Sequence, residues 1–274
     1  MSDVRHPAVA GKFYTDDPSE LKEQVGGMLS AAGVEPSPAL GGIVPHAGLI
    51  YSGECAAHVF GRIEIPGVVV ILAPNHTGRW ENRGGAAAWD RGSWETPLGA
   101  FDIAEDFLRR LESECELVAH DPTAHLLEHA VEVELPFLKV LAPGVRIAPI
   151  VLAWDDWGRC LSMATALATV VSELSNDVLL LASSDMTHFE SAHVAQKRDR
   201  AALDAVEALD GERLLATCER DNVTMCGRAP SATVLEATRQ LGATTAELVD
   251  YRHSGWVTGD DSNVVAYAGV VISA

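Results

Sequence analysis

The sequence predicts an α/β fold with a central mixed sheet, and three observations carry that expectation. The runs Gly67-Val68-Val69-Val70-Ile71-Leu72-Ala73 and Asp177-Val178-Leu179-Leu180-Leu181-Ala182 are continuously apolar, as strands covered on both faces are. Segments of helical period alternate with such strands, and no Ser/Gly-rich linker divides the chain. At 274 residues and 47% hydrophobic, the chain can bury a full core, and residues 1–274 read as one domain.

Taken in order, residues 1–18 are irregular, with the aromatic pair Phe13-Tyr14, and read as an N-terminal strap. Pro18-Ser19 opens an amphipathic helix through Leu21, Val25, Met28 and Leu29. A loop over 31–40 leads into Gly41-Gly42-Ile43-Val44-Pro45-His46-Ala47-Gly48, a short apolar strand stopped by a proline that cannot donate to the ladder. A helical pattern follows over 54–62. The apolar run at 67–73 is the next strand and ends in Pro74-Asn75-His76. Residues 86–94 read as an excursion with short strands, 96–99 as a turn and 101–114 as a helix. Residues 128–138 have helical period and bring Glu128, Glu132 and Leu135 near one face. A strand is expected over 145–152, with Pro149 marking a bulge or an edge. Helices are expected at 161–174, 193–208, 211–218 and 230–241, and strands at 177–184, 245–252 and 263–272.

Charge and composition remove several classes of function. The formal charge is −19, from 39 acidic against 20 basic residues. Such a surface repels a phosphate backbone, so no nucleic-acid partner is expected. No apolar run reaches membrane-spanning length and the N-terminus lacks a secretory signal core, so no membrane contact is expected either. The five cysteines are scattered, with no pair at zinc-knuckle spacing. That pattern argues against a disulfide framework and for a cytoplasmic location. A Gly-rich phosphate loop, a nucleophile elbow and a paired CxxC are all missing, which sets nucleotide and serine hydrolases aside.

The chemistry gathers at strand ends. Pro45-His46-Ala47, Pro74-Asn75-His76 and Asp185-Met186-Thr187-His188 each follow an apolar strand, where α/β sheets place their ligands. One histidine in such a place is ordinarily a turn residue, but neighbouring strands bring three of them together. Imidazole is a common metal ligand and a general acid or base. A divalent metal wants a further, anionic ligand. Cys226, just before Gly227, is the best candidate, since a thiol near a metal loses its proton; the plainer reading is a small buried hydrophobe. Cys55, Cys160 and Cys218 lie within helical patterns and Cys115 at a helix end. Glu128-His129 reads either as a solvated helix start or as a carboxylate and proton shuttle beside the site. Asp185 is placed to orient His188 or a ligand histidine. His58, His120, His125, His193 and His253 lack such a setting and read as structural or surface residues.

These motifs resemble the Memo family. The residues that carry the resemblance are Arg5-His6-Pro7-Ala8-Val9-Ala10-Gly11-Lys12-Phe13-Tyr14, Pro45-His46-Ala47-Gly48 with Tyr51-Ser52-Gly53, Pro74-Asn75-His76, Thr96-Pro97-Leu98-Gly99, Glu128-His129 with Glu132-Val133-Glu134-Leu135-Pro136-Phe137-Leu138, and Ser183-Ser184-Asp185-Met186-Thr187-His188-Phe189. They run in the family's order to Cys226-Gly227 and the last strand. The family is similar in fold to the LigB-type class III extradiol dioxygenases, which use non-haem iron(II). Its bacterial and archaeal members are called AmmeMemoRadiSam system protein B.

The resemblance implies a LigB-like αβα sandwich with a metal site at His46, His76 and Cys226. His188 matches the acid/base histidine of the dioxygenases, and Asp185 lines the same pocket; with Glu128 and His129 they make the expected catalytic set. Iron(II) is the implied cofactor, with copper or zinc open because a thiolate is softer than the dioxygenases' carboxylate. AMMECR-type and radical SAM proteins are the implied partners, and a small molecule or peptide the implied occupant of the metal pocket. Two motifs depart from the family pattern: Ala73 stands where a glycine is usual, and Thr258-Gly259-Asp260-Asp261 is looser than Ser-Gly-Asp. A metal-dependent oxidoreductase is the leading expectation; non-catalytic docking or assembly, and iron or copper handling, are the alternatives.

Overall fold

The chain opens with β1 (Val4–Arg5) and α1 (Pro18–Ala32), enters the main sheet at β2 (Gly41–Val44) and leaves it through α2 (Leu49–Phe60). Next come β3 (Val68–Pro74), the short strands β4 (Ala86–Ala88), β5 (Ser93–Thr96) and β6 (Gly99–Asp102), then α3 (Glu105–Glu114) and β7 (Val118–His120). The middle holds α4 (Leu135–Leu141), β8 (Arg146–Leu152), α5 (Trp157–Glu173) and β9 (Val178–Ser183). The last third holds β10 (His188–Glu190), α6 (Ala192–Glu207), α7 (Gly211–Arg220), α8 (Arg228–Gln240), β11 (Thr245–His253), α9 (Gly255–Thr258) and β12 (Val264–Ser273). The computed structural model describes residues 4–81, 85–174 and 177–274; the first three residues, part of the N-terminal reading, lie outside it.

Among the described residues the main sheet has nine strands, in the order β10-β12-β2-β9-β3-β8-β4-β7, with β11 also paired to β12. Its centre, β2-β9-β3-β8, is parallel. β12 joins β2 antiparallel and β4 joins β8 antiparallel, so the sheet is mixed, as expected. Every residue of β3 and of β9 is buried, which is why both read as uninterrupted apolar runs. Helices α1, α2 and α4 pack together on one face, and α5, α7 and α8 on the other, giving an αβα sandwich. A smaller sheet, β1-β5-β6, stands beside it. No helix of the described residues is long and apolar enough to cross a membrane.

Three local expectations shift, each for a physical reason. The helix expected over 128–138 begins only at Leu135, after a single 3-10 turn at Glu132–Glu134. An α-helix running through this stretch would need an N–H from Pro136 to the Glu132 carbonyl, and proline has none. The helix expected from 101 starts at Glu105 because Phe101 pairs with Trp94 in the β5–β6 hairpin. Pro149 lies in β8, inside the sheet rather than at its edge. It is tolerated there because β4 pairs only with residues 150–152, so the ladder on that side stops at the proline.

Candidate metal centre

Register decides which turns meet. Val44 of β2 lies beside Ser183 of β9, and Leu72 of β3 beside Ala182, so three parallel strands end level with one another. The residues just past those ends are His46, Asp185 and His76. His129 joins them from the turn that precedes α4. Ring nitrogens of His46, His76 and His129 all lie within 4.8 Å of one another. His129 stacks on His76 with centroids 4.8 Å apart, and its ring meets His46 edge-on at 5.4 Å.

Hydrogen bonding fixes which ring nitrogen of His76 and of His46 is free. The Glu128 carboxylate takes His76 Nδ1–H at 2.9 Å, which leaves the lone pair on Nε2. Glu128 is buried, which opposes its charge, yet the His76 ring and the neighbouring imidazoles hold its carboxyl below the ordinary range. Burial likewise opposes protonation of His76, but Glu128 and Asp185 hold it above its ordinary value. For His46 the argument runs through Ser183. The Ser183 hydroxyl has one hydrogen and donates it to the Ala130 carbonyl at 2.7 Å. It therefore accepts from His46 Nδ1 at 2.7 Å, and the His46 lone pair also sits on Nε2. Burial and the surrounding imidazoles keep His46 neutral.

Cys226 reaches the same place from the segment before α8. Its thiol lies 3.3 Å from His46 Nε2, and the Asp185 N–H donates to its sulfur at 3.2 Å. This close approach depends on Gly227. A Cβ there would stand 2.2 Å from the Ser183 carbonyl and 2.5 Å from the Ser184 Cβ, so any side chain would push the segment off the strand end. Burial, then the Asp185 charge, push the thiol well above its ordinary range, so it is protonated in the metal-free protein. Asp185 holds the His46 backbone N–H through Oδ1 at 2.9 Å. Burial pushes its carboxyl up to about 6 against that hydrogen bond.

His188 lies on the open side. Its backbone N–H donates to Thr224 Oγ1 at 2.8 Å and its Nδ1–H to the Thr224 carbonyl at 3.1 Å, leaving Nε2 as the free nitrogen. It lines a cleft of about 440 Å³ together with Phe13, Tyr51, His129, Asp185 and Tyr267. The next residue, Phe189, has φ of 60° and is 76% exposed. A bulky residue in the left-handed region is strained, and such strain concentrates at functional sites.

Two groups that hold this end together were not legible as such from the sequence. Arg5 is fully buried. Its guanidinium pairs with Glu132, donates to the carbonyls of His125 at 3.2 Å and Glu128 at 2.6 Å, and lies over the Trp94 ring. Glu132 also takes the N–H groups of Ala8 (2.8 Å) and Val9 (3.0 Å) and the Tyr14 hydroxyl (2.6 Å). The strap is thus bolted to the turn that carries His129, and Phe13 is delivered edge-on to that ring at 4.9 Å. The available signal was the run 5–14 itself, rich in aromatic and charged residues yet without a period.

All seven site residues named from the sequence come to this end of the sheet. His46, His76 and His129 form the tight cluster; Cys226 touches it through His46; Glu128, Asp185 and His188 surround it. His129, expected as a shuttle, stands as close to the centre as the two strand-end histidines. His125, set aside as structural, is buried against Trp89 and Trp94 with its Nε2 on the Ala87 carbonyl.

Comparison with known proteins agrees with this architecture. A family model described as Memo-like protein matches residues 5–271. A MEMO1 family protein of Aquifex aeolicus is 40% identical over 272 residues, covering 98% of each chain. One of Methanopyrus kandleri is 39% identical over 280 residues, covering 97% of this chain and 98% of its own. Another, of Methanothermobacter thermautotrophicus, is 37% identical over 276 residues, covering 97% and 99%. With its motifs in order, its strand-end histidines gathered at one site and relatives alike over their full length, the chain belongs to the Memo family.

Proposed function

We propose that the protein is a metal-dependent oxidoreductase of the extradiol dioxygenase type, acting in the cytoplasm through an iron(II) ion held by His46, His76 and Cys226, with His129 in reach. The observation that carries this reading is the pair of tied-back imidazoles. His46 is held by Ser183 and His76 by Glu128, each through Nδ1, so both Nε2 lone pairs are free for one cation. The donor set fits a metal. Nitrogen and sulfur ligands about 2.1 and 2.3 Å from one ion sit roughly 3–3.6 Å apart. The Cys226 sulfur and His46 Nε2 are 3.3 Å apart. Two neutral imidazoles and one thiolate suit iron(II), copper or zinc.

A bound iron(II) would supply Lewis acidity and a site for dioxygen beside a chelating substrate. The rest belongs to the chain. Phe13, Tyr51 and Tyr267 wall the cleft and exclude water from the substrate. His188, held by Thr224 through Nδ1, moves a proton to or from a substrate hydroxyl at Nε2. Asp185 fixes the His46 backbone while Glu128 fixes His76. Anaerobically purified protein is expected to hold about one metal per chain, and His46→Ala or His76→Ala to lose it. Equal metal content in wild type and variants rejects the reading.

A second reading is favoured by the rim of the cleft. Ile50, Phe189, Trp256 and Val257 are large apolar side chains that are 50–76% exposed, each within two residues in sequence of a cleft residue. They suit docking of a peptide, or of an AMMECR-type or radical SAM partner, with the metal serving structure or metal handling rather than turnover. Capture of such partners unaffected by His188→Ala supports docking; aerobic turnover of catechols, lost in the same variant, supports catalysis.

A further inference from the structure

Phe189 forms a bulge in β10. His188 lies opposite Val265 and Glu190 opposite Val264, so the residue between them has no partner in the ladder. That residue takes the left-handed conformation, with φ of 60°, which a bulky side chain adopts only where its surroundings impose it. Bulges re-aim the side chains beside them, and the neighbour here is His188.

What imposes the bulge comes from α6. The buried residues of that helix are Ala195, Ala202, Leu203, Ala205, Val206 and one acid, Asp199. A carboxylate on an apolar helix face is costly unless it is hydrogen-bonded. Asp199 takes the Thr187 N–H on Oδ1 at 3.1 Å and the Tyr251 hydroxyl on Oδ2 at 2.7 Å. The Thr187 carbonyl takes the Ala266 N–H at 2.9 Å, so both backbone polar groups of Thr187 are bound. On the far side of the bulge, Arg198 donates to Glu190 at 2.6 Å. Adjacent residues of one helix thus hold the chain on both sides of Phe189. Between those anchors the His188 ring is set by Thr224, which takes its backbone N–H on Oγ1 and its Nδ1–H on the carbonyl.

We propose that Asp199 is a positioning residue: backed by Tyr251, it holds Thr187 to α6, keeps Phe189 in its strained bulge and so keeps the His188 ring on Thr224 with Nε2 free. That His188 moves a proton rests on the function proposed above; its orientation does not.

The test uses the metal-free full-length protein at a pH where the ring is neutral. Long-range proton–nitrogen NMR reads the His188 tautomer in wild type, Asp199→Asn, Asp199→Leu and the double variant Asp199→Leu with Phe189→Gly. An imidazole free in water carries its proton mainly on Nε2, so an Nδ1–H form reports the bond to Thr224. Wild type and Asp199→Asn are expected to hold Nδ1–H, since the amide oxygen still accepts from Thr187. Asp199→Leu is expected to lose it. Adding Phe189→Gly should restore it, because glycine keeps the bulge without a clamp. A general loss of stability would not be rescued in this way. Unchanged Nδ1–H in Asp199→Leu overturns the proposal. So does a wild-type Thr187 amide that exchanges with solvent as fast as an exposed loop amide, a result that needs no variant to fold. With iron bound, Asp199→Leu should lower turnover about tenfold or more at unchanged metal content, and Asp199→Asn much less. The stated tautomers with no metal bound by any form would uphold this inference and reject the function proposed above.

Discussion

The Glu128 carboxylate holds His76 twice, taking its backbone N–H at 2.6 Å and its ring Nδ1–H at 2.9 Å. The same carboxylate takes the backbone N–H groups of His129 at 2.9 Å and Ala130 at 3.0 Å. One buried acid thereby positions two of the three clustered histidines. Glu128→Ala is expected to weaken metal binding about 10- to 100-fold. It also leaves buried N–H groups unpaired, at about 1–3 kcal/mol each. Competition against a chelator measures the first effect; affinity unchanged from wild type would remove Glu128 from the site.

Cys226→Ser separates the possible ions. A hydroxyl is harder than a thiolate and does not lose its proton as easily, so affinity for copper(I) or zinc is expected to fall by at least about tenfold. Parallel titrations with each metal read this directly. An equal, small change for all of them would place the sulfur outside the donor set.

Arg5 and Glu132 form an ion pair in which both side chains are fully buried. Removing one partner strands a buried charge, which costs about 3–5 kcal/mol. For a chain of this size Arg5→Ala should lower Tm by roughly 6–20 °C. Because the pair bolts the strap to the His129 turn, metal affinity should fall in the same variant. Calorimetry showing a shift under about 2 °C would contradict the burial of the pair.

His125 gives a pH signature. Burial, and then Arg5, push it down to about 4 from 6.5, against the pull of its Ala87 hydrogen bond. The folded state therefore resists a proton that the unfolded chain accepts between those two values. Stability from this group is complete above pH 6.5 and is lost as pH falls toward 4. The loss is about 3 kcal/mol. Denaturant melts from pH 7 to 4 should show a shallower decline for His125→Phe than for wild type, even if the variant is less stable throughout. Parallel declines would mean that His125 is charged in the fold.

Phe189 separates the two functional readings. Its backbone strain, about 1–3 kcal/mol, is relieved by glycine, while the added freedom of the unfolded chain takes back about 0.5–1 kcal/mol. Phe189→Gly should therefore leave Tm within a few degrees. If the apolar rim docks a partner, capture of AMMECR-type or radical SAM proteins should drop in this variant while metal content holds. Unchanged capture would count against the rim.

Much of the fold was legible in the order of apolar runs. β3 and β9 are buried on both faces, so their composition alone marks them as central strands, and Pro45 and Pro74 mark where strands stop. Parallel strands with helical returns bring their carboxyl ends together, which is why His46, His76 and Asp185 are legible in the sequence as neighbours. The kinship with the Memo family was equally present in the motifs. His129 was placed on a helix because its neighbours have helical period; Pro136 and the Glu128 carboxylate, which bonds back to the local backbone, made it a turn and aimed its ring at the centre. Arg5 meets Glu128 and Glu132 across 123 and 127 residues, and Cys226 meets His46 across 180. Period and composition record whether a side chain is buried. They do not record which distant group it is buried against, and only the tertiary structure decided that the strap, the turn and the thiol converge on one cluster of three histidines.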